Sequence, residues 1–440
     1  MNSLLEKILL EFERLIQGNE QNAIVLSLFL ITIGIGYLYL VKSYVDPYEK
    51  AKKELKSKKL KNPLVSFLVS VKNEEREIID CIESMINQTY KNYEIFIVDD
   101  ASSDNTPNIL RKTFGENEKI NIIYLDENIG KKKALAKAMQ KATGSIFAFT
   151  DSDSIWKNDS IEKIVTIFEN NQNIGAVSGH CNAKNAKQNI WTRIQDQLYE
   201  KQYRWRKGFE SNYGAVSCVS GPLACYRREA IYNYIPKWEN DEFLGKEFRF
   251  ATDRIMTGFA LCGKDIGTNI KEKYSESSFI KNEKYEIRNW DVVYSNSAKA
   301  WTVVPDKLST IISQKIRWNK SFIRNLFFTG KYYWKRSLPT TLYYYLHVLF
   351  VFLYPILFTV AIIQLVLNDY LLLLGSSLLG YLVISTLINV FINARNKNIL
   401  DSPISIILYH LLFQWLIFYS IITINRRDWK REISEGRYNE

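Results

Sequence analysis

Residues 23–41 are apolar or small throughout and carry no charge, and three further long apolar stretches, 342–367, 371–392 and 404–424, close the chain. Stretches of about 18 or more such residues are long enough to cross a hydrocarbon layer and cannot all be folded into one soluble core. The residues between them are polar, so the 440-residue chain is expected to hold a globular middle domain between membrane segments. A net charge of +11 fits nucleic acid, a membrane surface or an acidic substrate. The 27 Tyr, 23 Phe and 10 Trp crowd towards the apolar last third, which favours the membrane and argues against nucleic acid. The five cysteines (Cys81, Cys181, Cys218, Cys225 and Cys262) have no Cys-x-x-Cys spacing, so neither a zinc site nor a disulfide framework is expected. With three histidines in the chain, chemistry built on imidazole is not expected.

The ends carry topology signals. Leu4, Leu5, Ile8, Leu9 and Phe12 recur at near-helical spacing among charges, as in an amphipathic helix at a membrane interface. No small-residue cleavage site follows the run at 23–41, which therefore reads as an anchor. Lys42, Lys50, Lys52, Lys53, Lys56, Lys58, Lys59 and Lys61 come next, and the positive-inside rule puts the middle of the chain in the cytoplasm. Three full crossings at the other end would carry Arg426, Arg427, Lys430 and Arg431 outside, against the same rule. The stretch 404–424, which follows Asp401 and Pro403 and contains His410 and Gln414, is therefore expected to be interfacial or re-entrant. The expected divisions are an amphipathic segment 1–22, a span 23–42, a basic linker 43–63, the globular domain 64–300, interface helices 301–338, membrane segments 339–424 and a basic tail 425–440.

Inside the domain, strand patterns at 65–71, 93–98, 120–125 and 146–150 alternate with helical ones at 74–87, 106–114 and 131–142. Such alternation predicts an α/β, doubly wound, Rossmann-like parallel sheet. Two strands end in paired acids, Asp99-Asp100 and Asp151-Ser152-Asp153, and ligands of open α/β sheets bind just past such ends. Asp151 and Asp153 fall on one side of a short turn. They can hold a hard divalent cation, with a nucleotide diphosphate completing its oxygen shell; a solvated turn or helix cap is the plainer alternative. After residue 174 the pattern loosens into a helix at 191–209, a turn at Ser220-Gly221-Pro222, a helix near 247–261, a polar loop or small insertion over 264–290 and an amphipathic helix at 311–328. Gln314, Arg317 and Trp318 lie at i, i+3 and i+4, on one helix face. An amide and a guanidinium suit diphosphate oxygens and an indole suits a sugar ring, while a membrane-belt Trp is the alternative.

Several pieces occur in one order: Val69-Ser-Val-Lys-Asn-Glu74, Val98-Asp-Asp-Ala-Ser-Ser-Asp104, Asn128-Ile-Gly-Lys131, Asp151-Ser-Asp153, Ser220-Gly-Pro222, Thr252-Asp-Arg254 and Gln314-Lys-Ile-Arg-Trp318. Together they resemble the processive family-2 glycosyltransferases: hyaluronan synthases, chitin and chitooligosaccharide synthases and, more distantly, cellulose synthases. Cys218-Val-Ser-Gly-Pro-Leu-Ala-Cys-Tyr-Arg227 and Gln314-Lys-Ile-Arg-Trp-Asn-Lys-Ser321 are most similar to hyaluronan synthases. The resemblance implies a GT-A-type domain in a multi-pass protein of the plasma membrane. It also implies a UDP-sugar donor, a growing polysaccharide acceptor and Mg²⁺ or Mn²⁺. By the same resemblance Asp99 and Asp100 contact uridine, Lys131 approaches the diphosphate, and Asp153 coordinates the metal with Asp151 beside it. Asp253 is the general base with Arg254 next to it, Ser220, Gly221 and Pro222 lie near the acceptor, and Gln314, Arg317 and Trp318 line the acceptor end.

The implied product is a β-linked polysaccharide such as hyaluronan, made from UDP-GlcNAc and/or UDP-glucuronic acid, with extrusion through the protein or a homodimer left open. A single-donor chitin-type synthase and a transferase acting on a lipid-linked acceptor are the alternatives. The chain departs from the pattern at Thr252, where relatives carry a second acid, which leaves Asp241, Glu242 and Glu247 as reserve bases. The tail keeps Trp429 of a Trp-Gly-Thr region and lacks its Gly-Thr.

Overall fold

In the computed structural model the residues described are 4–17, 43–55, 61–367, parts of 371–386 and 401–426. The expected span at 23–41, Lys56, Lys58 and Lys59, most of 371–392 and the tail from Arg427 with Trp429 lie outside them. The chain divides into two compact units, Met1–Ser43 with Leu342–Tyr419, and Tyr44–Thr341 with Ser420–Glu440.

The larger unit is built on an eight-stranded sheet. Its strands are β1 (Val65–Val71), β2 (Tyr93–Asp99), β3 (Ile120–Tyr124), β4 (Ile146–Asp151), β5 (Ser154–Trp156), β6 (Ile174–Ala183), β7 (Ala224–Arg227) and, after a two-stranded hairpin β8 (Glu242–Phe243) and β9 (Lys246–Glu247), β10 (Asp291–Thr302). The order is β3-β2-β1-β4-β7-β6-β10-β5. β1, β2, β3 and β4 pair in parallel, as the alternating pattern predicts, and the near-continuous apolar runs of β1, β2 and β4 are buried. The core gathers Val65, Phe67, Val69, Ile95, Ile97 and Ala148 with Ile78, Ile82, Leu110, Ile161 and Phe168 from the flanking helices.

The fully parallel sheet expected from the sequence is corrected at two places. β7 runs antiparallel between β4 and β6, and β5 runs antiparallel to β10 at the edge, which makes the sheet mixed. Apolar runs of a few residues announce a strand without announcing its direction. The direction of β7 comes from the turn that precedes it, where the 3₁₀ segment Gly221–Leu223 folds the chain back onto β4.

A second correction concerns 264–290, expected to be a loop or small insertion. The helix Thr252–Lys273 runs well into it, with a local break at Cys262 (φ −121°, ψ 19°). Its glycines serve close packing: a Cβ on Gly263 would run into the Arg288 carbonyl oxygen. The helix Leu308–Leu326 packs on this helix and buries Ile311, Gln314, Phe322, Ile323, Arg324 and Asn325.

In the smaller unit the helix Leu4–Ile16 is amphipathic, with Leu9 and Leu10 exposed. Among the described residues two helices are long and apolar enough to cross a membrane, Leu338–Leu367, which starts in the larger unit, and Pro403–Ile422. The second is interrupted by the 3₁₀ turn Phe413–Trp415.

Candidate active site

Past the carboxyl ends of β1, β2 and β4 opens a cleft of about 690 Å³, a size typical of small-molecule sites. Asp100, Lys131, Asp151, Asp153, Ser220, Gly221, Pro222, Asp253, Arg254, Gln314, Arg317 and Trp318 all line it. Residues separated by most of the chain thus meet on one surface. Asp99 does not line the cleft. It is buried at the end of β2, where its Oδ1 accepts the Ser102 amide at 3.0 Å and holds the loop that follows.

Asp100 clasps a second loop. Its carboxylate accepts the Ile129 and Gly130 amides at 2.8 and 3.0 Å and the Asn128 side-chain amide at 3.0 Å. That grip aims the first turn of the helix Lys131–Lys141 at the cleft, where Gly130 turns the chain at φ 86°. A helix N-terminus presents unpaired amides and suits an anion. Lys131 from the same turn forms an ion pair with Asp151. Burial pulls the Lys131 pKa down, but the Asp151 carboxylate outweighs it and leaves it raised, so Lys131 stays a cation.

The Asp151 carboxylate rests against Gly221, where a Cβ would lie 2.9 Å from Oδ2. Any side chain at 221 would displace the acid. The Pro222 carbonyl accepts the Thr150 hydroxyl at 3.1 Å and the Trp156 indole at 2.7 Å, pinning the Ser220-Gly221-Pro222 turn to β4 and β5. Asp153 Oδ1 accepts the Thr302 hydroxyl from the end of β10 at 2.9 Å. Two carboxylates therefore share one wall with a cation. Among the described residues no group of three or more His, Cys, Asp or Glu forms a closed metal cage. A two-carboxylate wall suits a hard divalent ion that takes its remaining oxygens from a diphosphate and water, so Asp151 and Asp153 fit the expected metal.

Asp253 is the second residue of the helix Thr252–Lys273, which begins directly after Ala251, whose left-handed φ of 62° is a strained conformation for a residue with a Cβ. The Val219 amide donates to Thr257 Oγ1 at 2.9 Å and that hydroxyl donates to the Asp253 carbonyl at 2.7 Å, which fixes the turn against the segment before Ser220. Asp253 Oδ2 accepts the Cys218 thiol at 3.4 Å. The Arg254 guanidinium lies 5.9 Å from the Phe322 ring centroid.

From the helix Leu308–Leu326, Gln314, Arg317, Trp318 and Ser321 face the cleft. Gln314 is 6% exposed and its buried Oε1 has no hydrogen-bond partner among the described residues. A buried amide oxygen left so is costly, and this one belongs to a residue of the cleft wall. The Trp318 ring lies 6.1 Å from that of Tyr199, centroid to centroid.

One reserve base is corrected. Asp241 is 1% exposed, with Lys132 Nζ at 3.0 Å on one oxygen and Arg324 Nη2 at 2.6 Å on the other. Shut away between two cations, it cannot reach an acceptor hydroxyl. It ties together the helix behind Lys131, the hairpin β8–β9 and the helix that carries Gln314.

The sequence did not point to 424–426 as part of the wall, yet Ile424, Asn425 and Arg426 line the cleft. They are held there as Lys320 Nζ donates to the Arg426 carbonyl at 3.2 Å and Ser420 Oγ to the Ile316 carbonyl at 3.4 Å. No local signal marks these residues.

Residues 66–235 match the family model described as Glycosyl transferase family 2. The chain is 28% identical over 422 residues to a hyaluronan synthase of Streptococcus pyogenes, covering 92% of this chain and 88% of that one. It is 27% identical over 266 residues to an N-acetylglucosaminyltransferase of Mesorhizobium japonicum, covering 60% of this chain and 57% of the relative. The fold is similar to that of a mannosyltransferase from Pyrobaculum calidifontis solved in complex with GDP-Man and Mn²⁺, with a TM-score of 0.55 at 18% identity over 90% of this chain and 98% of that one. A domain match covering β1 through β7 and a similarity that runs through the helix of Gln314 converge on the same cleft: residues 66–235 form a domain that matches the family-2 glycosyltransferases, and the chain as a whole is similar to their synthases.

Proposed function

We propose that the protein is a membrane-bound, inverting glycosyltransferase that polymerises sugar from UDP-sugar donors, UDP-GlcNAc and/or UDP-glucuronic acid, into a β-linked polysaccharide such as hyaluronan. The observation that carries the reading is the meeting of Gln314, Arg317 and Trp318 with Asp151, Asp153 and Asp253 in one cleft. A polar and aromatic wall beside the donor wall suits the sugar end of a growing chain. The similarity to a hyaluronan synthase over most of both chains supports the same product class.

The chemistry follows from the residues. The N-terminus of the helix Lys131–Lys141 and the Lys131 ammonium take up charge that develops on the departing UDP. Asp151 and Asp153 would hold Mg²⁺ or Mn²⁺, which when bound adds Lewis-acid neutralisation of that same diphosphate. Asp100 keeps the Asn128–Gly130 loop shaped for the nucleotide, with Asp99 behind it. Asp253 accepts the proton of the acceptor hydroxyl. The hydroxyl oxygen bonds to the anomeric carbon as the bond from that carbon to the phosphate oxygen breaks, and a single in-line displacement inverts the centre. Arg317 and the Gln314 amide bind oxygens at the acceptor end, and Trp318 offers its face to a sugar ring. The apolar helices Leu338–Leu367 and Pro403–Ile422 are taken as membrane segments, with the catalytic unit on the cytoplasmic side and the growing chain leaving through the membrane.

The test is to supply purified protein with UDP-GlcNAc, UDP-glucuronic acid and the two together, and to size the products. A long polymer that needs both donors supports hyaluronan. A polymer from UDP-GlcNAc alone supports the chitin-type reading, which the similarity to an N-acetylglucosaminyltransferase favours. A single sugar added to lipid refutes polymerisation.

A further inference from the structure

Lys207 is a buried cation that none of these steps uses. It closes the π-helical turn Gln202–Lys207, set between the helices Ile190–Lys201 and Gly208–Asn212. Such turns insert an extra residue into a helix and often mark functional sites. Lys207 is 2% exposed. Its Nζ donates to Ser178 Oγ on β6 at 2.9 Å and to Ser220 Oγ at 2.6 Å, and lies 4.0 Å from the Tyr203 ring centroid. Among the described residues no carboxylate forms an ion pair with it. Ammonium groups buried away from a countercharge are expensive, so the position calls for a reason.

Ser220 supplies one. An ammonium can only donate, so Ser220 Oγ accepts from Lys207 and spends none of its own proton on that bond. The Ser220 proton is then available to a group in the cleft, which Ser220 lines beside Cys218 and Asp253. We propose that Lys207 is a positioning residue that holds Ser220 as a hydrogen-bond donor to an oxygen of the acceptor sugar, fixing the approach of the acceptor to Asp253. The proposal rests on the reading of Asp253 as the base.

The groups around Lys207 are Tyr203 and Glu210 on its own helical run, Cys218 before Ser220, and Asp253 and Arg254 from the helix Thr252–Lys273. Burial pulls its pKa down to about 8, against the upward pull of Cys218, Asp253 and Glu210. Below that pH protonated Lys207 can only donate to Ser220, whereas above it the neutral amine has a lone pair that competes for the Ser220 proton.

The experiment follows UDP release by the full-length protein in detergent, with UDP-GlcNAc and UDP-glucuronic acid as probes, from about pH 6 to about pH 10. The wild type is expected to lose kcat/KM as pH rises through about 8. Lys207→Arg remains charged and is expected to move that alkaline limb up by about one unit or more. Lys207→Met and Ser220→Ala are each expected to lower kcat/KM by roughly 10-fold, and the double variant by roughly 10-fold as well, because both remove one device. Binding of UDP alone should stay within about 2-fold in all of them. An unmoved limb in Lys207→Arg, losses that multiply in the double variant, or a matching loss of UDP binding overturns the proposal. If neither Lys207 variant folds, Ser220→Ala decides: it should lose the limb near pH 8, and a limb that persists counts against the proposal. Full turnover in Asp253→Asn would instead sink the base assignment, an outcome separate from the limb and the cycle.

Discussion

Replacing Asp241 by Leu should expose how much of the catalytic unit hangs on one carboxylate. In the native protein its two oxygens neutralise Lys132 and Arg324, whose side chains are 6% and 7% exposed. The substitution leaves two cations buried with no countercharge, a change that costs about 3–5 kcal/mol. For a unit of roughly 300 residues, at about 2.1 cal/mol/K per residue, that is a fall in Tm of roughly 5–8 °C. The triple variant Lys132→Met, Asp241→Leu, Arg324→Met removes the three charges together and should recover most of the loss. One debt remains, since Lys132 also donates to the Phe248 carbonyl at 2.9 Å, and leaving that oxygen short costs about 1 kcal/mol. Tryptophan fluorescence during heating, in one detergent and without nucleotide, reads all three proteins. A triple variant that melts at or below the single one, or a single variant within about 1 °C of wild type, would refute the electrostatic account.

Asp153→Asn should abolish metal-dependent transfer, by roughly 100-fold or more; UDP release with and without added Mn²⁺ reads it, and full activity would remove the metal assignment. Asp253→Asn should lower turnover by roughly 100-fold or more while calorimetry shows UDP-sugar binding intact, and lost binding would mean another role. Trp318→Ala should shorten products on gels more than it slows initial UDP release, whereas unchanged chain length would end the case for Trp318 in elongation. Asp100→Ala should raise the donor KM more than it lowers kcat, because three hydrogen bonds to the 128–130 loop are lost; an unchanged KM would show that this loop does not shape the donor site.

What could be read ahead of the structure was local. β1 and the helix Thr106–Phe114 lie where the apolar pattern puts them, because their core partners are set by periods of two and 3.6. Cleft residues such as Asp100, Lys131, Asp151, Asp153 and Arg317 could be named because each sits in a short, ordered motif. What could not be read was set by distant partners. The direction of β7 depends on β4 and β6, and the length of the helix Thr252–Lys273 depends on surfaces its glycines fit. Asp241 looked like a base in reserve because its cations lie 109 and 83 positions away. Lys207 offered no signal either, as nothing beside it in sequence says that its neighbours will be hydroxyls and a ring.

The placement of Ile424, Asn425 and Arg426 in the cleft wall bears on when the enzyme can begin to work. A ribosome releases Ser70 and Asp100 early and these three residues only after the long apolar helices have been made. Until then the cleft lacks a side, and a half-synthesised chain that meets a sugar donor has no complete site with which to consume it. Order of synthesis thus acts as a lock: the transferase is finished only once the helices that would anchor it have left the ribosome.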